Sequence, residues 1–293
     1  MAQSLQQFKH SQEVLSDKRL QSGQYPHELT IVAEGDSWFD YPLKKDIIDY
    51  LRQDGYAIQC FAKAGDTLEN MVFGTEYRRI ARSSSDITHL GPISLQNTLN
   101  AIRTHKPQIV LLSTGGNDVV GSEMISYLNH KHSSPSSLVN KAIYREKLQQ
   151  MRLAIEFFIR SVHSTHKDTH ILMDGYDYAK VNGKGYSFIF KNIKGPWIQP
   201  AMGQKAITDP LDQTSIIRYL VDEFNEMLQD LSDQYPYFHH IDLRGTFPND
   251  KDWDNEIHLN NPGFRKVATL YRKKIESVLG HDPVQVFRET ILA

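Results

Sequence analysis

Cysteine is almost missing from this chain: Cys60 is its one thiol in 293 residues. A single thiol cannot form an internal disulfide, so burial and hydrogen bonding must hold the fold, and a reducing compartment fits. Cys60 itself is expected as a buried, inert strand residue. Neither sign of charge dominates. Lys and Arg number 33 against 35 Asp and Glu, for a formal net charge of -2. That balance gives no electrostatic case for nucleic acid or an anionic membrane as the main partner. Long apolar runs are missing as well. No stretch is long enough to cross a bilayer, and the opening MAQSLQQFKHSQEVLSDKRL has no apolar signal core. A cytoplasmic product is the expectation, with export lacking a cleaved signal left open.

What is present suits a sizeable core: 40% of the residues are hydrophobic and 23% charged. One large α/β domain with an insertion is expected. Its body runs over 29–280, after a polar helical extension at 1–28 and before a short apolar tail at 281–293. Apolar runs alternate with segments of helical spacing, the pattern of a parallel sheet with crossover helices. The strands expected are Ile31–Ala33, Tyr56–Phe61, Gln108–Ser113, Thr169–Met173 and Tyr237–Ile241. Helices are expected over 44–53, from Leu68, and over 95–105, 138–162, 215–231 and 264–278. The stretch 121–137 reads as exposed and variable.

The organising stretch is TIVAEGDSWFD, Thr30 to Asp40. Its apolar run stops at Gly35 and presents Asp36 and Ser37 at the carboxyl end of a strand, where open α/β sheets carry their sites. A serine hydroxyl is a weak nucleophile until a base takes its proton. The same Asp-Ser pair also has the composition of a helix cap. Trp38, Phe39 and Tyr41 follow, as pocket wall or as core. A second strand ends in Ala64-Gly65-Asp66-Thr67, where glycine gives a turn or turns an N–H toward a crevice. A third runs into Gly115-Gly116-Asn117-Asp118. Without G-x-G-x-x-G spacing this is no dinucleotide loop. The Asn117 amide can donate to a developing oxyanion, or the four residues form a plain turn.

Beyond the fourth strand, residues 179–210 break the rhythm with Tyr186, Phe188, Phe190, Trp197 and Pro200. A connection this long is functional or disordered, and its aromatics argue against disorder. A lid or wall over the crevice is expected. His239 and His240 are neighbours in a strand and face opposite ways, so they do not readily share a metal. His258, in the loop before the last helix, can fold back toward Ser37.

These blocks, in this order, make the chain resemble the SGNH (GDSL-type) hydrolases over residues 31–264. The resemblance implies a three-layer α/β/α sandwich with a five-stranded parallel sheet, flavodoxin-like in layout. It implies Ser37 as nucleophile and His258 as base and then acid. The oxyanion hole would be the Ser37 N–H, the Gly65 N–H and the Asn117 side chain. No metal or organic cofactor is implied. Two departures stand out. Where the family commonly has aspartate, three residues before the histidine, this chain has Asn255, flanked by Asp254 and Glu256. Asn255 is the preferred orienter of His258, with Asp254 the alternative acid. Leu259 stands where proline is usual. The expected activity is hydrolysis of an acyl or acetyl ester, on a small-molecule, lipid or glycan substrate. The alternatives are acyl transfer on the same site, and an inactive relative that only binds.

Overall fold

Five short runs build the central sheet of the computed structural model, which describes residues 9–10, 30–42, 44–74, 93–120, 123–133, 137–188 and 191–292. They are β1 (Thr30–Gly35), β2 (Ala57–Cys60), β3 (Ile109–Ser113), β4 (His170–Gly175) and, later in the chain, β7 (Phe238–Asp242). All neighbours pair parallel, in the order β2-β1-β3-β4-β7. Every residue of β1 and of β3 is buried. A sheet covered on both faces needs such uninterrupted strands. Full burial of Leu111 or Leu112 contributes about 2 kcal/mol each. At the β2 edge, Gln59 and Cys60 are only partly buried. An edge strand has a neighbour on one side only, which leaves the Cys60 residue partly exposed, while burial of its thiol pushes the pKa up to about 12.

Helices cover both faces. Helix α1 (Ile47–Asp54) packs on the last long helix, α9 (Asn261–Leu279), across one face. Against the other lie α3 (Ile93–His105), α6 (Lys141–Thr165) and α8 (Pro210–Gln234). Between these come the short helices α2 (Leu68–Phe73), α4 (Gly116–Val120) and α5 (Met124–Tyr127). This is the three-layer α/β/α sandwich that the resemblance implies. The strand order reverses direction between β1 and β3, and the crevice at such a switch point is where ligands bind in open sheets. Ser37 follows β1 and Asn117 follows β3, so both emerge there.

Several boundaries differ from the sequence reading for local reasons. Helix α1 starts at Ile47, not at 44, because Asp46 and Asp49 form a capping box. Lys9 Nζ, 2.5 Å from Asp46 Oδ2, binds the same cap. The Gly-Gly-Asn-Asp block is not an open loop, since Gly116 already begins α4. Residues 121–137 are not simply exposed: Met124, Tyr127 and Leu128 are buried, while 121–122 and 134–136 lie outside the described residues. The tail forms a helix, α10 (Pro283–Leu292), with Val284 seated over Gly55. The helix expected over 2–20 lies outside the described residues except for Lys9 and His10.

The insertion is an ordered wall. A β-hairpin, β5 (Tyr186–Phe188) and β6 (Lys191–Lys194), precedes the short helix α7 (Gln199–Gln204). Phe190 lies outside the described residues.

Candidate active site

Gly35 lets β1 end where it does. A β-carbon there would meet Phe39 and the Ser113 carbonyl, both at 2.8 Å. Asp36 then turns the chain: its N–H donates to Ser113 O at 2.8 Å, and its Oδ1 accepts from the Trp38 N–H at 2.9 Å. The Tyr176 hydroxyl donates to its other oxygen at 2.6 Å. Burial pushes the Asp36 carboxyl up to about 7. Asp36 is thus committed to the turn and caps no helix. Ser37 is left at the mouth of the switch point.

There its Oγ lies 2.7 Å from His258 Nε2. The residues are 221 positions apart in sequence. The loop that returns the histidine is tightly tied. Trp253 and Leu259 bridge antiparallel, and Asp254 N–H donates to His258 O at 2.8 Å. Trp38 Nε1–H reaches across to Ile257 O at 3.0 Å, joining the histidine loop to the serine turn. Of the three aromatics after the serine, Trp38, Phe39 and Tyr41 are all buried. Trp38 and Tyr41 also line the crevice, so they serve as core and wall together.

Asn255 is fully buried behind the histidine. Its Oδ1 accepts from the Ile257 N–H at 3.1 Å and the His258 N–H at 3.0 Å, and lies 3.0 Å from His258 Nδ1. Two backbone donors fix the amide's orientation, because a side-chain NH2 cannot accept from them. An oxygen facing Nδ1 puts the imidazole proton on Nδ1 and leaves Nε2 bare toward Ser37. Asn255 Nδ2–H donates to the Tyr41 hydroxyl at 3.0 Å. That hydroxyl donates to Asp254 Oδ2 at 2.6 Å, and Lys44 closes the chain on Asp254 Oδ1. Asp254 therefore reaches the histidine through two intervening side chains. Tyr41 also stacks on the imidazole, 4.4 Å between centroids and 18° from parallel. Burial drives the His258 pKa down to about 3; Asp254 opposes this, and Lys194 and Lys44 add to it. The imidazole is neutral near pH 7.

Gly65 adopts φ +81°, a backbone that favours glycine. Neither its N–H nor that of Ser37 donates to any described residue. Asn117, on α4, donates from Nδ2 to Asp66 O at 2.8 Å, which holds the amide beside the Gly65 turn. The next residue does related work: Asp118 Oδ2 accepts from the Leu68 N–H at 2.8 Å. Ser37, Gly65, Asn117 and His258 all line one hollow of about 50 Å3. A second, apolar hollow of about 40 Å3 shares Ser37, Asn117 and Ile257 with the first and runs against Val119, Val120, Tyr176, Val221, Phe224 and Trp253.

Glu256, named from sequence only as a neighbour of Asn255, has a larger part. Fully buried, its carboxylate accepts four backbone N–H groups, from Gly183, Trp197, Ile198 and Gln199, at 2.6–3.2 Å. It thereby supplies the cap that α7 lacks and fastens the insertion to the histidine loop. A carboxylate is favourable at a helix N-terminus. Trp197 consequently stands edge-on to His258 at 5.4 Å, and Tyr186 packs on Tyr41 at 5.7 Å. His239 and His240 turn to separate partners, His170 and Asn225, each at 3.0 Å. Among the described residues no cluster of metal-ligating side chains occurs, and no helix is long and apolar enough to cross a membrane.

No family model matches this chain, and no curated protein matches it by sequence. Solved structures do match in shape. The lipase Lip_vut3 from a goat rumen metagenome aligns at TM-score 0.52 and 12% identity, over 83% of this chain and 96% of that one. The periplasmic domain of a lipopolysaccharide acetyltransferase from Salmonella ser. Paratyphi A aligns at TM-score 0.50 and 16% identity, over 85% and 84% respectively. With the strand order above, they show the fold: a three-layer α/β/α sandwich about a five-stranded parallel sheet, as the resemblance to the SGNH hydrolases implies. At such identities the likeness is one of fold.

Proposed function

We propose that this chain is a serine esterase that cleaves short-chain carboxylic esters through an acyl-enzyme on Ser37. The observation that carries the reading is the 2.7 Å contact of Ser37 Oγ with a His258 Nε2 that holds no proton. His258 Nε2 takes the hydroxyl proton as Oγ attacks the ester carbonyl carbon. The carbonyl oxygen becomes an oxyanion, received by the Ser37 N–H, the Gly65 N–H and the Asn117 amide. The tetrahedral intermediate collapses, the C–O bond to the alcohol breaks, and the imidazolium returns its proton to the leaving oxygen. Water then enters, loses a proton to the same Nε2 and attacks the acyl carbon; Ser37 leaves with that proton and the acid is released. An imidazole held neutral by burial suits a base. Asn255 supplies a dipole in place of a charge for the imidazolium, as in Cys-His-Asn sites.

The two hollows divide the substrate. Only the one containing His258 can hold the alcohol, because His258 must protonate the leaving oxygen. The acyl group then takes the apolar hollow. A water needs roughly 10–15 Å3 of such space, so about 40 Å3 fits an acyl chain of roughly two to four carbons. The Ser37–His258 contact and the Asn255 oxygen held on Nδ1 support an active enzyme over a protein that only binds.

The test is covalent labelling with a fluorophosphonate, peptide mapping, and turnover of p-nitrophenyl acetate by Ser37→Ala. An adduct on Ser37 and loss of turnover in the folded variant are expected. Undiminished turnover in Ser37→Ala would sink the assignment. Adding an acceptor alcohol and analysing the products separates hydrolysis from acyl transfer.

A further inference from the structure

The alcohol hollow contains one unmatched charge. Lys194, the last residue of β6, is an exposed residue whose side chain lines the hollow with Ser37, Tyr186 and Trp197. It lies over Gly65 so closely that a β-carbon built there would be 2.5 Å from Nζ. Its side chain makes no hydrogen bond or ion pair with any described residue. Lys44, the other cation near His258, is already bound to Asp254. Among the described residues no carboxylate lines the hollow to balance Lys194. A flexible lysine has no reason of its own to lean over a glycine turn. Its ammonium is strongly hydrated and stays in water unless an anion meets it. The hairpin that carries it is held in place through Glu256 and through the Tyr186 hydroxyl, which donates to Pro42 O at 2.9 Å.

We propose that Lys194 binds an anionic group, carboxylate or phosphate, on the alcohol half of the substrate, so that the enzyme prefers esters of negatively charged alcohols. This rests on the esterase reading, because that reading puts the alcohol beside His258. The aromatic faces of Tyr186 and Trp197 then flank the body of the alcohol while the ammonium meets its charge. A positive charge there also steers anionic substrates to the site, an effect that salt screens.

The test compares two acetates that differ in charge: 4-acetoxybenzoate, whose leaving alcohol is anionic, and 4-acetoxybenzamide, its neutral counterpart. The ratio of their kcat/KM values is measured for the wild type, Lys194→Gln and Lys194→Glu. The expected ratio falls about five- to tenfold in Lys194→Gln, the scale of one partly exposed charge pair, and falls further in Lys194→Glu. The change appears mainly in KM and shrinks at high salt. An unchanged ratio overturns the inference while leaving the esterase reading intact. Equal loss on both esters also overturns it, since Lys194 would then be serving the oxyanion common to both. If the wild type cleaves neither ester, the esterase reading falls and takes this inference with it.

Discussion

An Asn255→Asp substitution places a full negative charge where a neutral carbonyl now faces His258 Nδ1 at 3.0 Å. Taking the charges about 4 Å apart in an effective dielectric of about 20, the attraction to an imidazolium is about 4 kcal/mol. Part is lost at Tyr41. Its hydroxyl now receives from Asn255 and donates to Asp254; in the variant it would face two carboxylates with one proton. That frustration costs about 1–2 kcal/mol. The remainder, about 2–3 kcal/mol, lifts the His258 pKa by about two units. From a start near 3, the variant histidine titrates near 5. The base must be neutral to act, so a higher pKa moves the loss of activity to higher pH. Wild-type kcat/KM for p-nitrophenyl acetate should stay flat down to about pH 4, whereas the variant should be half-lost near pH 5. Above pH 7 the variant should gain up to about tenfold, because the imidazolium formed in the transition state is better stabilised. A pH-stat assay, with circular dichroism at each pH, separates titration from unfolding, and 15N NMR of the imidazole reads the pKa directly. An acid limb that stays put would refute the contact between residue 255 and Nδ1.

Three further perturbations bear on other parts of the molecule. Glu256→Gln puts an NH2 where Oε2 accepts from the Trp197 and Ile198 N–H groups at 2.6 and 2.7 Å; it should cost about 3 kcal/mol in urea unfolding and raise KM, and an unaltered midpoint would refute the clamp. Glu34 is lifted from 4.5 to about 7 by burial, partly offset by the Ser94 and Thr98 hydroxyls. The native state therefore holds a proton the unfolded chain has lost, and stability falls between about pH 4.5 and 7; Glu34→Gln should remove about 3 kcal/mol of that decline, and an identical stability-versus-pH slope in variant and wild type would contradict it. Val221→Ala deepens the apolar hollow and should shift the best p-nitrophenyl ester from acetate or butyrate toward hexanoate; an unmoved preference would show that acyl chains lie elsewhere.

The sequence made the sheet legible because a parallel sheet buried on both faces demands continuous apolar strands, and Ile109 to Leu112 is nothing else. It also made three of the four blocks legible, since each follows a strand where glycine or a short polar side chain breaks an apolar run; the fourth, at His258, lies in the loop before the last helix. What stayed hidden has a common physical cause. Tyr41 and Asp254 meet across 213 positions, and Glu256 and Trp197 across 59. Such pairings leave no periodicity, and Glu256 looks like any surface acid until four backbone N–H groups converge on it. The same holds for Asp118, whose acceptance of the Leu68 N–H ties the third block to the second.

The absence of an aspartate before His258 looks at first like a lost triad. The geometry supports a different division of labour. In a conventional triad one carboxylate fixes the histidine tautomer and stabilises its cation. Here Asn255 can do the first alone, because its oxygen is oriented by the Ile257 and His258 N–H groups and so must meet a protonated Nδ1. On the proposed esterase reading the second task would pass to Asp254, acting at a distance through the Tyr41 hydroxyl. A charge so far removed, and partly neutralised by Lys44, leaves the imidazole depressed to about 3. Such a base holds its resting proton weakly, so acid does not silence it until the pH is low. On the proposed esterase reading it gains less from forming imidazolium, and the proposed oxyanion donors would carry more of the rate. Tyr41→Phe isolates this term: it cuts the link to Asp254 while leaving the Asn255 oxygen on Nδ1. The expected result is a several-fold fall in kcat with KM retained, as for an interaction made mainly in the transition state. A loss as deep as that of Ser37→Ala would mean instead that Tyr41 holds the histidine in place by its stacked ring and hydroxyl together.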